Sequence, residues 1–299
     1  MIRPQQITHP LRSLRSLYRR LQKPMPKYLE IGPYKIHLQD NSQLLNYKNG
    51  FTLYDTALGR IAATVKAKYP GLHAIDIGAN SGDTAALIRE TSEIPVLCIE
   101  GDPILLPLLI ENVAQMGLGI QIEQSFVGED GAAIDLESAH DLGRSACLVE
   151  AIDPCGQVKF RSLQAILSDH AEFCASKLLK IDTEGFDFRI LKLSIEFIRL
   201  TKPVLFFEYA PHFLPEESTV GLETLDALIE SGYSDFLYYD NHGNFLLRAE
   251  ASNRSLFSDL DHYLASNRRH GVAVHYFDIC ALHQEDADLA SMIRSLTQG

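Results

Sequence analysis

No stretch of this 299-residue sequence runs for about 18 apolar residues, the length a membrane-crossing helix needs. No two cysteines stand in a C-x-x-C spacing either. The five that occur, at 98, 147, 155, 174 and 280, are odd in number and scattered. That pattern argues against a disulfide framework or a cysteine zinc site, and points to a reducing, cytoplasmic setting. Basic residues are outnumbered, with 27 Lys and Arg against 39 Asp and Glu and a net charge of −12. A long nucleic-acid footprint needs clustered cations, so nucleic acid is not an expected partner. Internal repeats, low-complexity tracts and interdomain linkers are missing as well.

Acid is itself missing from one place. Residues 1–27 hold seven Lys or Arg and no Asp or Glu, which leaves −19 on the remainder. Leu11, Leu14, Tyr18 and Leu21 follow helical spacing there, with Arg12, Arg19 and Arg20 on other faces. The segment lacks the 7–15-residue apolar core of a secretory signal. The expectation is a helix packed on the acidic body of the chain or on a partner. The alternative is a peripheral contact with an anionic membrane, at its inner face.

What is present is concentrated in residues 74–84, Ala-Ile-Asp-Ile-Gly-Ala-Asn-Ser-Gly-Asp-Thr. Apolar residues flank Asp76, Gly78 and Gly82 bracket a polar turn, and a helical pattern starts at Thr84. A strand, a glycine loop and a helix N-terminus let backbone come close to a cofactor. The loop is G-x-x-x-G rather than the G-x-G-x-x-G of dinucleotide sites, and Asp76 stands two residues before it. A pyrophosphate would be repelled there, whereas a cationic adenosyl cofactor would be held. Val96-Leu-Cys-Ile-Glu100 then ends a second apolar run in an acid, placed to accept both hydroxyls of a ribose. These features favour S-adenosylmethionine over NAD.

Beyond the loop, five stretches resemble the FkbM-type methyltransferases, in that family's order. They are Asp76-Ile-Gly-Ala-Asn-Ser-Gly-Asp83, Ile99-Glu-Gly-Asp-Pro103 followed by Glu111-Asn112, Val127-Gly-Glu-Asp-Gly131, Lys180-Ile-Asp-Thr-Glu-Gly185, and Val204-Leu-Phe-Phe-Glu208. The resemblance covers roughly residues 50 to 250. It departs from the family at Gly101, where the family usually has proline, and it stops after residue 250. It implies O-methylation of a sugar, polyketide or related acceptor.

The pattern predicts a Rossmann-like α/β fold with a mostly parallel, seven-stranded sheet, helices on both faces and an antiparallel C-terminal strand. Residues 1–48 are expected to be a basic extension of a helix plus short extended pieces, 49–250 the methyltransferase domain, and 251–299 a C-terminal extension packed on it. Expected strands are 73–78, 95–100, 119–126, 177–182, 203–209, 234–240 and 244–249. Expected helices are 55–68, 82–91, 104–116, 162–170, 186–195 and 222–231, with a short strand near 132–137 and a loop over 138–158.

Ligands in such sheets bind beyond the carboxyl ends of the strands. The expected cofactor set is Asp76, Gly78, Ala79, Asn80, Gly82, Asp83, Glu100, Gly101, Ser125 and Asp182. The expected catalytic set is Asp182, Glu184, Glu208 and His212, with Glu208 or His212 as general base. Glu184 could instead cap the next helix, and His212 could be a plain loop residue. A magnesium ion on Asp182, Glu184 and Glu208 is the less favoured alternative to a metal-free base. The overall reading is a methyltransferase acting on a small-molecule or glycan hydroxyl. An N-methyltransferase, an NAD-binding oxidoreductase and a non-catalytic scaffold in glycan assembly stand as alternatives.

Overall fold

The computed structural model describes residues 27–131, 133–134, 158–183, 185–211, 219–271 and 273–297. The expected N-terminal helix and nearly all of the 138–158 loop lie outside them. The described chain enters through an antiparallel hairpin, β1 (Lys27–Ile31) and β2 (Tyr34–Leu38). Where only extended pieces were expected, α1 (Leu44–Gly50) follows, and then α2 (Thr56–Lys68).

The expected alternation comes next: β3 (Ala74–Ile77), α3 (Asp83–Ser92), β4 (Val96–Ile99), α4 (Leu106–Val113) and β5 (Ile120–Glu123). Three short strands, β6 (Phe126–Val127), β7 (Ala133–Ile134) and β8 (Val158–Arg161), form a small side sheet. After α5 (Leu163–Asp169) and β9 (Leu178–Ile181), the single helix expected at 186–195 is two, α6 (Asp187–Leu193) and α7 (Ile195–Thr201). The chain continues through β10 (Val204–Tyr209), α8 (Val220–Glu230), β11 (Tyr233–Asp240) and β12 (Phe245–Glu250). It ends with α9 (Arg254–His270), β13 (Phe277–His283) and α10 (Ala287–Ser295).

The main sheet has the order β12-β11-β13-β10-β9-β3-β4-β5. β3, β4, β5, β9 and β10 are parallel, while β13 lies antiparallel between β10 and β11. This is the Rossmann-like class I methyltransferase fold, with eight strands where seven were expected. The 244–249 piece is the outer strand β12, antiparallel to β11 as expected. The strand that was not expected is β13, drawn from the segment set aside as a C-terminal extension. The tail is therefore inside the sheet, since both neighbours of β13 hydrogen-bond to it.

Each central strand is covered on both faces, so it reads as a continuous apolar run. Ala74, Val96, Cys98, Leu178, Val204 and Phe206 pack towards α2, α3, α4, α10 and the β1–β2 hairpin. Their alternate neighbours Ile75, Leu97, Ile99, Leu179, Leu205 and Phe207 pack towards α5 to α9. This parity matters for the site, because Asp76, Lys180, Glu208 and Asp278 occupy the α2 and α3 face. Cys98, Cys174 and Cys280 are free thiols. No helix among the described residues is long and apolar enough to cross a membrane.

Candidate functional site

From β3 the chain winds outward through β4 and β5, then returns to the other side of β3 as β9. The gap between β3 and β9 is a topological switch point, where open α/β sheets form their ligand crevice. A cleft of about 1010 Å³ opens there, along the carboxyl ends of the strands.

The glycine loop forms its floor. Gly78 and Gly82 have φ of +75° and +85°, and Asn80 between them has +48°. Gly78 and Ala79 donate their N–H groups to Ile99 O, at 3.0 and 3.2 Å, which ties the loop to β4. A Cβ on Gly78 would lie 1.9 Å from the carbonyl oxygen of Asp182, at the end of β9. Glycine at 78 is therefore demanded by the neighbouring strand, in addition to any bound ligand.

Glu100 stands at the tip of β4, only 6% exposed. Its two carboxylate oxygens each accept one backbone N–H, from Asn80 and Asp102, both at 2.8 Å. Burial raises its pKa, against the opposing pull of the Asp102 and Asn80 amides. One lone pair on each oxygen is left for a ligand. Gly101 follows, and a Cβ there would fall 2.4 Å from the Phe126 ring. Any side chain at 101 would therefore have to displace the Phe126 ring. Phe126, Phe160 and Phe186 form an aromatic row along this wall, and Ser125 is buried in it.

Asp76 is placed differently from expectation. It is fully buried beneath the cleft and does not line it. Its Oδ2 accepts the Thr84 hydroxyl at 2.5 Å, and its Oδ1 lies 3.0 Å from Lys180 Nζ. The pairing register sets Lys180 directly beside Asp76, so the acid at the strand end is already neutralised. Lys180 also donates to Gly78 O at 2.9 Å, bracing the loop, and lies 3.8 Å from Asp182. Burial opposes the lysine's charge, but Asp76 first and Asp182 next outweigh it and raise its pKa. Removing one partner of such a buried pair strands the other charge. Lys180→Met is expected to lose about 3–5 kcal/mol in denaturant unfolding, with part recovered by adding Asp76→Asn.

Asp182 and Asp83 do line the cleft. Asp83 is the first residue of α3, and burial raises its pKa. Asp182 is half-exposed. Glu184 and His212 lie outside the described residues. Asp187, the first residue of α6, braces the loop before it, its Oδ2 accepting from Thr183 N, Thr183 Oγ1 and Gly185 N. Glu208 faces the cleft from β10, and Asp278 on β13 stands directly opposite it. Asp55, at the start of α2, closes this end with Tyr54 and Tyr276. Burial pushes the Asp55 pKa up to about 7, with Lys48 opposing.

No family model and no curated protein matches the chain. Among solved structures it is similar to methyltransferase FkbM from Methylobacillus flagellatus KT, at 20% identity over 55% of this chain, with a TM-score of 0.39. The match spans 38% of that protein's length. Precorrin-6y C5,15-methyltransferase from Geobacter metallireducens GS-15 is 13% identical over 75% of this chain and 87% of its own, with a TM-score of 0.37. Fibrillarin from Aeropyrum pernix, solved with S-adenosylmethionine bound, is 11% identical over 55% of this chain and 58% of its own, with a TM-score of 0.33.

Sequence reasoning missed Lys180 as a site residue, although it opens the quoted Lys180-Ile-Asp-Thr-Glu-Gly185 stretch. A lysine inside an otherwise apolar strand was the available signal, because it needs a buried counter-ion. Asp55, Tyr54, Tyr276 and Asp278 were missed because their strands and loops meet the cleft only through topology. Among the described residues, no group of three or more His, Cys, Asp or Glu side chains is arranged to hold a metal ion.

Proposed function

We propose that the chain is an S-adenosylmethionine-dependent methyltransferase, transferring methyl to a hydroxyl of a sugar, glycan or secondary metabolite. The observation that carries this is Glu100, held at the tip of β4 by two loop amides and facing a positive-φ glycine loop at the switch point. The donor set suits that cofactor. Glu100 retains acceptor capacity for a ribose, Ser125 lines the cleft beside it, and the carboxylates of Asp83 and Asp182 favour a cationic amino-acid portion. A pyrophosphate would meet the same two carboxylates and be disfavoured, which speaks against NAD.

When bound, the cofactor supplies a methyl group activated on a sulfonium. The chain's own part is to align an acceptor with that methyl and to receive a proton. Glu100, Ser125 and the 78–83 loop would hold the adenosyl and amino-acid portions. Asp182 reaches the cleft between the loop and Glu208, placed to orient cofactor or acceptor. Glu208 is assigned to the transfer step; His212, expected to share it, and Glu184, expected to organise cofactor and loop, lie outside the described residues. Tyr54 and Tyr276 narrow the cleft on the acceptor side.

Glu100→Ala removes charge-assisted hydrogen bonds worth roughly 1.5–3 kcal/mol, so cofactor affinity is expected to fall by about one to two orders of magnitude. It also frees the amides of Asn80 and Asp102, so Glu100→Gln, which keeps one oxygen acceptor, should be milder. Calorimetric titration measures both, and unchanged affinity in Glu100→Ala refutes the assignment. The activity itself is tested by labelled-methyl transfer into fractionated glycans, lipids and metabolites, with mass spectrometry of the product. Label on a hydroxyl oxygen supports the reading. Label on nitrogen moves it to an N-methyltransferase, and no label in any fraction contradicts it.

A further inference from the structure

We propose that Asp278 takes the proton from the acceptor hydroxyl, with Glu208 as its partner carboxylate. This rests on the methyl-transfer reading above. Asp278 belongs to β13, in the part of the chain to which the sequence assigned no role. The register between β10 and β13 places it directly opposite Glu208. Directly opposed residues point to the same face, with Cβ atoms about 4.5–5.5 Å apart. Both carboxylates therefore stand together on the α2 face, and both line the main cleft. They also border a chamber of about 20 Å³ beneath it, closed by Asp55, Thr84 and Lys180.

Two carboxylates set side by side disfavour each other's ionisation. The groups facing Asp278 make this stronger. Asp55 approaches from α2, Asp182 and Lys180 from β9, Asp187 from the start of α6, and Tyr239 is paired with it on β11. Burial, then Asp55 and Asp182, raise the Asp278 pKa well above the usual carboxylate range, and Lys180 opposes them. A base in that range captures a hydroxyl proton far better than an ordinary carboxylate. Tyr54 and Tyr276 hydrogen-bond to each other beside it, and burial keeps both as phenols able to donate.

In the step, the acceptor O–H bond breaks and its proton passes to the Asp278 carboxylate. The electron pair left on oxygen forms the bond to the methyl carbon. The carbon–sulfur bond breaks with its pair to sulfur, and Asp278 later releases the proton to solvent. Asp278 must be ionised to act, so the rate should rise with pH through the ionisation of the pair and then level.

The test uses the full chain, labelled methyl transfer into the extract fractions between about pH 5 and 9, and calorimetry with S-adenosylhomocysteine. Asp278→Asn should lower transfer by about 10²–10⁴-fold and remove the acidic limb of the pH profile, with S-adenosylhomocysteine affinity within about threefold. Glu208→Gln removes a like charge, so it should move the limb to lower pH; a merely structural role would not. Transfer by Asp278→Asn at the unmutated rate, or an unshifted limb in Glu208→Gln, overturns the proposal alone. If the unmutated protein neither binds S-adenosylhomocysteine nor transfers methyl, the reading beneath it fails and the proposal falls with it.

Discussion

A chain ended at residue 250 is expected to show no cooperative melting transition. β13 sits between β10 and β11, and its removal leaves a gap in the sheet with unpaired backbone on both sides. Phe277, Ile279, Cys280, Ala281 and Leu282 are all fully buried. Burying one large apolar side chain is worth about 1.5–3 kcal/mol, so losing Phe277, Ile279 and Leu282 alone removes roughly 5–9 kcal/mol. That is comparable to the whole stability of a domain, about 5–15 kcal/mol. Loss of α10, with Leu289, Ala290 and Ile293 in the core, adds to it. Circular dichroism on heating reads the outcome. A native-like sigmoidal melt of residues 1–250 would mean that the tail packs on a domain complete without it.

Gly78→Val is expected to bring cofactor affinity below detection and to destabilise the fold. The backbone at 78 has φ of +75°, which costs an L-residue about 1–2 kcal/mol and a β-branched one more. The added Cβ would collide with the Asp182 carbonyl oxygen at 1.9 Å. That oxygen belongs to backbone at the end of a central strand, and overpacking there adds typically 1–3 kcal/mol. Relief requires β3 and β9 to separate at the switch point, which opens the cleft floor and moves Gly78 O away from Lys180. Gly82 offers a contrast, since a Cβ there meets side-chain carbons rather than backbone, Leu109 at 3.1 Å, Val113 at 3.2 Å and Asn112 at 3.9 Å. Gly82→Ala should therefore be the milder change. Melting temperature and S-adenosylhomocysteine titration measure both, and a Gly78→Val protein with ordinary stability and affinity would show the loop to be misread.

The alternating strands and helices from 74 to 209 were legible because each strand is a short apolar run bounded by glycine, proline or acid. The glycine loop and the acid ending β4 were legible for the same reason, as local patterns. What the sequence concealed depends on pairing between distant segments. Asp76 read as a ligand-facing acid because nothing local shows that register will set Lys180 against it. Hairpin proximity made β12 legible as an antiparallel strand, whereas β13 returns past α9 to enter the sheet between β10 and β11. Its sequence, Phe277-Asp-Ile-Cys-Ala-Leu-His283, carries the signal of a strand buried on both faces. So does α9, where Phe257, Leu260 and Leu264 keep helical spacing. Both lay beyond the residues where the family resemblance ended. α1 was hidden differently, since it has only seven residues and fully buries none of them, Leu44 and Leu45 packing only partly against the core.

The central claim is that the cleft between β3, β4 and β9 takes an adenosyl cofactor with a cationic amino-acid end. Calorimetric titration of the full chain with S-adenosylhomocysteine and, side by side, with NAD tests it most directly. The account predicts saturable binding of one S-adenosylhomocysteine per chain, weakened about 10–100-fold by Glu100→Ala, and no heat with NAD. Saturable binding of NAD with none of S-adenosylhomocysteine would contradict it.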